Sequence, residues 1–392
     1  MSFVGAFNRI SLSGLRADCL RSTESDVAKS LDKLNLSLND FVHLISPAAS
    51  EDLEQLAEKS KRLTQQRFGK TMRLFAPLYL SNECINNCSY CGFSRDNAII
   101  RSTLSTSQVI QEGEELKRQG FNNILLVAGE HPNFISNAYV AECITELNKF
   151  IPSISVELAP LKTPEYLPLI RSGAEGLVVY QETYDRNAYK AFHTSGPKKD
   201  FDWRLTTPER AYAAGFRRLG IGALFGLSDW RTEAIALASH ALWLQQHCWK
   251  SHLTISLPRL RPCAGDFEPV DTLDDNNLTQ LICAFRLLLP DAGIVLSTRE
   301  PANVRNGVLP LGVTLISAGS HTEPGGYTGA GAENLHLTKR GKIIKLHENQ
   351  NSATEQFDIA DNRSPAAVAN HIKKLGLEPV WKDWQNTILN FK

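Results

Sequence analysis

The run Cys84-Ile85-Asn86-Asn87-Cys88-Ser89-Tyr90-Cys91 constrains this chain more than any other feature. Its C-x3-C-x2-C spacing directly follows an apolar, strand-like stretch at 72–80. Three thiolates packed this closely on a polar loop can converge on one metal centre, because thiolate sulfur suits iron–sulfur clusters and zinc. A [4Fe–4S] cluster normally takes four cysteines, one per iron. Three leave one iron without a protein ligand, and an open coordination position is what a metal needs to act on a small molecule. A structural zinc would need a distant fourth ligand such as His131 or Cys263. Such zinc sites usually come as two Cys or Cys/His pairs, and no second pair is present.

At 392 residues the chain exceeds the ~250 of one (β/α)8 barrel, so one large domain with extensions fits. Lys plus Arg equals Asp plus Glu, 42 each, which leaves no electrostatic footprint for nucleic acid or a membrane surface. No apolar run approaches the ~18 residues of a spanning helix. The other cysteines (Cys19, Cys143, Cys248, Cys263, Cys283) are scattered, the pattern of reduced thiols in a reducing compartment, hence the cytoplasm. The first 17 residues have no acid and contain Arg9 and Arg16, a faint transit-peptide character set against an ordinary bacterial N-terminus.

Apolar runs recur at 72–80, 123–128, 154–158, 176–180, 218–224, 253–257, 293–297 and 312–317. Amphipathic stretches such as 108–118, 232–247 and 278–289 lie between them. Eight strands alternating with helices predict a parallel sheet: a (β/α)8 TIM-type barrel first, an open doubly wound sheet second. The eighth strand has the weakest signal, because the 301–310 connection is short for a helix. The resulting division is an N-terminal helical extension (1–70), a barrel (71–327) and a C-terminal extension packing on the barrel (328–392). Within the last, 328–356 is polar and basic and reads as an exposed excursion. A helix near 365–375 follows, then Val380-Trp381-Lys382-Asp383-Trp384 returning to the barrel.

Chemistry in such barrels sits at the C-terminal ends of the strands. There the sequence places the Cys loop, Gly129-Glu130-His131, Gln181-Glu182-Thr183-Tyr184, Gly226, Arg259 and Arg261, Arg299-Glu300, and 317–320. The Cys loop, ending Cys91-Gly92-Phe93, resembles the cluster-binding loop of the radical S-adenosylmethionine enzymes. Over almost the whole chain the likeness narrows to the 2-iminoacetate synthases, the tyrosine lyases of anaerobic thiamine biosynthesis. It is carried by Leu44-Ile45-Ser46-Pro47-Ala48-Ala49, Pro77-Leu78-Tyr79-Leu80-Ser81-Asn82, Gly129-Glu130-His131 and Val179-Tyr180-Gln181-Glu182-Thr183-Tyr184. Asp200-Phe201-Asp202-Trp203-Arg204-Leu205, Phe225-Gly226-Leu227-Ser228-Asp229, Pro258-Arg259-Leu260-Arg261-Pro262-Cys263, Leu296-Ser297-Thr298-Arg299-Glu300 and Pro324-Gly325-Gly326-Tyr327 continue it. Segment 328–356 looks longer than is usual in that family.

The resemblance implies a [4Fe–4S] cluster on Cys84, Cys88 and Cys91, with S-adenosylmethionine as second cofactor. It implies cleavage of the Cα–Cβ bond of L-tyrosine to 2-iminoacetate and p-cresol, a flavodoxin-type electron donor, and thiazole synthase as recipient of the imine. Gly129 and Glu130 would receive the methionyl ammonium, with a rim acid paired to an arginine as the alternative for Glu130. Glu182 would hold the cofactor's ribose or amino-acid end, and Arg204 would pair with the carboxylate; a structural ion pair stands equally beside both readings. Arg299 is the first candidate for the substrate carboxylate, since guanidinium matches carboxylate bidentately. Ser317 would assist it; Arg259 and Arg261, on a shared strand face, compete with it, and each stands equally as a buried ion-pair partner. Tyr90 lines the pocket or packs, and His131 is a scaffold residue. The competing functions are the lyases for tryptophan or for hydrogenase maturation, a biotin-synthase-like sulfur insertion enzyme, and a non-catalytic metal-bound scaffold of a thiazole-forming complex. The hydrogenase-maturation lyase carries a second cluster motif near its C-terminus, whereas no cysteine follows Cys283 here.

Overall fold

The structure, a computed structural model, describes residues 2–344 and 351–381. The barrel strands are β1 (Thr71–Ser81), β2 (Asn123–Ala128), β3 (Ser153–Glu157), β4 (Ala174–Glu182), β5 (Arg218–Ala223), β6 (His252–Ser256), β7 (Gly293–Leu296) and β8 (Leu315–Ser317). Each pairs in parallel with the next. The ring closes where β8 pairs back onto β1, from Arg73↔Leu315 to Phe75↔Ser317. The predicted barrel is therefore the observed one, including its weakly signalled eighth strand. The connection before β8 is a seven-residue helix, Ala302–Val308, about 10 Å long at 1.5 Å per residue.

The strands read as apolar runs because helices cover the outside of the ring while side chains fill the inside; β5 is buried at all six positions. The helix Thr106–Arg118 shows how local chemistry sets a boundary. Ser105 accepts from the Gln108 N–H at 3.4 Å, and the Gln108 side chain accepts from the Ser105 N–H at 2.7 Å, a capping box that satisfies two otherwise orphaned donors. Val109 and Leu116 on its buried face then hold it to the barrel.

Residues 2–68 form a helical layer over the barrel helices. The helix Trp230–His247 is buried on nearly every side because the helices Leu12–Arg21 and Leu38–Leu44 pack against it. Phe3 stacks on His240 with ring centres 4.2 Å apart, and Arg16 pairs with Asp229 at 2.9 Å. The acid-poor N-terminal segment is thus part of the domain.

Segment 328–356 is exposed over much of its described length, as expected, but it is also docked on the barrel's Cys-loop side. His336–Lys339 pairs antiparallel with Ile99–Arg101, the Thr354 N–H donates to the Ile100 carbonyl at 2.9 Å, and Ala353 is buried. Elsewhere much of the described segment is exposed, at 328–329, 332–334, 339–344, 351–352 and 355. The segment is polar because backbone edges and side-chain amides hold it, so its sequence carries little hydrophobic signal. Past it, the helix Pro365–Lys374 lies where expected, and Glu378–Val380 pairs with the start of β1. Trp381 packs edge-on against Phe121 at 5.2 Å; Lys382, Asp383 and Trp384 lie outside the described residues.

Candidate active site

The Cys loop leaves β1 at Ser81 and is pinned at both ends. The Asn82 amide donates to the carbonyls of Ile100 (2.9 Å) and Thr354 (3.1 Å) and accepts from the Ser102 N–H (2.8 Å). Arg101 is fully buried, and its guanidinium donates to the carbonyls of Asn82, Phe93 (3.2 Å) and Ser94 (2.9 Å) and to Thr338 Oγ1 (2.6 Å). One side chain therefore ties the entry of the loop to its exit. Nothing in its sequence position marks it. Arg101→Met would strand several buried carbonyls at about 1–3 kcal/mol each. The expected outcome is a melting temperature lower by roughly 5 °C and poor iron retention after reconstitution. Unchanged melting and iron content would show that the loop holds its shape without this arginine.

Cys84, Cys88 and Cys91 line one cavity. The side-chain amide of Asn86 lies 3.7 Å from Cys84 Sγ, and that of Gln356 lies 3.9 Å from Cys91 Sγ, both as donors. Burial pushes the Cys88 thiol up to about 12, so by itself it stays protonated; ligation to a metal is what would remove the proton. Among the described residues no three His, Cys, Asp or Glu side chains are placed for a single ion. A four-iron cluster spreads its thiolates one per iron, so three cysteines around a shared cavity with amide donors to sulfur fit a cluster better than zinc.

Gly129-Glu130 abuts this loop. A Cβ on Gly129 would lie 2.2 Å from the Glu83 carbonyl oxygen, so only glycine allows the close approach. The Ile85 N–H donates to the Glu130 carbonyl at 2.8 Å, and Asn86 donates to the Glu130 carboxylate at 2.6 Å. Its partner is thus an amide rather than an arginine. His131 has its Nδ1 buried without a hydrogen bond and its ring edge-on to Phe134 at 4.7 Å.

Glu182 ends β4 with φ 72°, a backbone conformation that costs a non-glycine residue of order 1–3 kcal/mol and persists only when its surroundings hold it. Lys198 at 2.7 Å and Arg204 at 3.2 Å do so. Burial opposes the carboxylate's charge, but these two cations outweigh it and hold Glu182 below the usual carboxylate range. Both the candidate Arg204 and Lys198, which the sequence did not single out, line the cysteine cavity. Lys198 lies in the short helical turn Pro197–Lys199, just past the strand His193–Ser195 that pairs with Asn87–Cys88, and its N–H donates to Asn86 of the Cys loop at 2.9 Å.

A second cavity inside the barrel is lined by Arg299 and Ser317 together with Phe75, Leu125, Tyr180 and Val295. The Arg299 guanidinium sits 3.3 Å from the Phe357 ring centre, and among the described residues its side chain has no ion pair. The Ser317 hydroxyl oxygen accepts from the Thr298 N–H at 3.1 Å, leaving its O–H free to donate. The competing arginines fall away from this cavity. Arg259 is bound to Glu300, to Asp275 at 2.7 Å and to the Leu273 carbonyl at 3.0 Å. Arg261 does not line the cavity, and its Nε is buried without a hydrogen bond. The shared strand face expected for the pair does not form, because β6 stops at Ser256 and both lie in the following loop. Tyr90 lines neither cavity: its hydroxyl meets His193 Nε2 at 2.8 Å, and its ring packs behind the Cys loop. Val127, Glu157 and Gln356 line both cavities and so mark where they meet.

The Radical SAM superfamily model matches residues 78–238, and that of the Biotin and Thiamin Synthesis associated domain matches 256–378. The chain is 44% identical to the 2-iminoacetate synthase of Escherichia coli (strain K12) over 365 residues, 93% of this chain and 92% of that one. It is 40% identical to the 2-iminoacetate synthase of Salmonella typhimurium over 386 residues, 98% and 97% of the two chains. Among solved structures, the FeFe-hydrogenase maturase HydG from Carboxydothermus hydrogenoformans aligns with a TM-score of 0.83 at 31% identity. That match covers 97% of this chain and 85% of the other.

Proposed function

We propose, since this chain belongs to the 2-iminoacetate synthase family of radical S-adenosylmethionine enzymes, that its two adjoining cavities cleave the Cα–Cβ bond of L-tyrosine. The products are 2-iminoacetate, which supplies the thiazole moiety of thiamine, and p-cresol. When bound, the [4Fe–4S] cluster and S-adenosylmethionine supply, with one external electron, a 5′-deoxyadenosyl radical able to take a hydrogen atom from the substrate. The chain's own residues bind, orient and exclude water. Cys84, Cys88 and Cys91 hold the cluster. The Gly129 carbonyl and the Glu130 carboxylate receive the methionyl ammonium of the cofactor, and Glu182, fixed by Lys198 and Arg204, takes its ribose. Arg299 grips the substrate carboxylate, with Ser317 donating a further hydrogen bond.

Water is kept out by the strap that begins at 351. The Gln356 side chain accepts from the Tyr79 hydroxyl at 2.7 Å, its carbonyl accepts from the Gly92 N–H at 3.2 Å, and the Asp358 N–H donates to the Pro262 carbonyl at 2.9 Å. The strap thus joins the Cys loop, the barrel interior and the loop after β6. The observation that most supports this reading is the contact of a three-cysteine cavity with an interior cavity carrying one unpaired arginine.

The test is anaerobic reconstitution with iron and sulfide, followed by S-adenosylmethionine, dithionite and L-tyrosine, with products identified by mass-detected chromatography. Equimolar 5′-deoxyadenosine and p-cresol are expected. Deoxyadenosine without p-cresol would move the substrate to tryptophan or another amino acid, and neither product from a chain holding four irons would sink the assignment. Among the described residues no helix is long and apolar enough to cross a membrane. A cytoplasmic enzyme receiving electrons from a flavodoxin-type donor fits the scattered reduced thiols. An imine that water hydrolyses favours direct hand-over to thiazole synthase.

A further inference from the structure

We propose that Glu157 receives the α-amino group of the substrate, completing with Arg299 a pair of opposite charges matched to an amino-acid zwitterion. The inference rests on the amino-acid lyase reading above and assigns a partner to the one substrate charge that reading leaves unpaired. Glu157 is the last residue of β3, so it projects at the catalytic rim of the barrel. It lines the interior cavity with Arg299 and also the cavity of the three cysteines. Among the described residues its carboxylate has no hydrogen bond and no ion pair.

Glu157 is half-buried where the two cavities meet; a carboxylate drawn partly out of water without a partner is costly, and the groups around it are already engaged. Lys198 and Arg204 bind Glu182, and the Tyr79 hydroxyl donates to Gln356. Burial first, and the Glu182 charge second, push the Glu157 carboxyl up to about 7, while Arg299, Arg204 and Lys198 oppose the shift. A ligand ammonium would relieve both the missing hydrogen bonds and the repulsion.

The position also suits the reaction. The α-amine is bonded to Cα, one end of the bond that breaks. Held at the junction of the cavities, it turns this end of the substrate toward the cysteine side. The aromatic ring is left among Phe75, Leu125, Tyr180 and Val295. Glu157 would then select amino acids over acids that carry the same ring without the amine.

Equilibrium binding to the anaerobically reconstituted enzyme, with S-adenosylmethionine and no reductant, tests this without turnover. The ligands are L-tyrosine and 3-(4-hydroxyphenyl)propanoate, which lacks only the amine. Wild type is expected to bind tyrosine at least tenfold more tightly than the desamino acid, and equal affinities would overturn the proposal without any variant. In Glu157→Gln the tyrosine Kd should rise on the order of ten- to a hundredfold, the range for a hydrogen bond between charged groups, while the desamino Kd stays the same or falls. Glu157→Asp, which keeps the charge, should recover part of the tyrosine affinity. Equal weakening of both ligands would make Glu157 a structural residue. An unchanged tyrosine Kd would overturn the proposal and leave the lyase reading intact. Wild type that neither binds nor cleaves tyrosine would overturn both.

Discussion

Cys88→Ala is expected to fold, to hold far less than four irons per chain after reconstitution, and to release no detectable p-cresol. In the proposed site each cysteine would serve a different iron, so losing one would leave two irons without protein ligands rather than weaken one bond. The fold should survive. Cys88 packs in a small satellite cluster with Tyr90, Leu224 and Leu227, apart from the core formed by the barrel and its helices. Cys263→Ala is the informative control. Its thiol donates to the Tyr90 carbonyl at 3.4 Å, close enough to the Cys loop to serve as a fourth ligand if the site held zinc. Iron and sulfide analysis with visible absorption decides the matter. A Cys263→Ala chain with a full cluster supports three ligands and an open iron; loss of metal there would restore a four-cysteine site.

Arg299→Ala should raise the KM for tyrosine by roughly thirtyfold or more, the effect of removing one partner from a buried, hydrogen-bonded charge pair, with cluster absorbance and S-adenosylmethionine binding intact. The guanidinium is already flattened against Phe357 at 3.3 Å, an arrangement that orients its planar donors before a carboxylate arrives. Because no carboxylate of the chain competes for it among the described residues, binding a substrate breaks no ion pair. Steady-state kinetics on the reconstituted variant provide the check. An unchanged KM would shift the contact to Arg261, since Arg259 could reach a ligand only by leaving Glu300 and Asp275 unpaired.

The two arginines show where reading a sequence stops. Arg259 and Arg299 are the same residue type, each just past an apolar run, and nothing local separates them. What does is Glu300: adjacent to Arg299 in sequence, it turns to Arg259 across the rim and leaves Arg299 facing the cavity. Glu182 was legible as a rim acid, but Lys198, which holds it, was not, because the turn carrying it is placed by Asn86 from a loop more than a hundred residues earlier. The docking of segment 328–356 through His336–Lys339 was not legible for a related reason. The segment docks through backbone hydrogen bonds to residues 99–101, and such bonds leave no periodic pattern in composition.

The sequence by itself determined the barrel and set the three proposed cluster ligands on one loop. Both are written locally: eight apolar runs spaced by amphipathic helices can bury their surfaces in few ways, and three thiols within eight residues share one loop. Only the tertiary structure decided which arginine is left unpaired among the described residues, that Glu157 lines both cavities, and that the strap from 351 meets the Cys loop at Cys91 and Gly92. Those outcomes depend on which charges neutralise each other and which backbone edges pair across the closed ring. These are relations between residues distant in sequence, and they exist only once the barrel has formed.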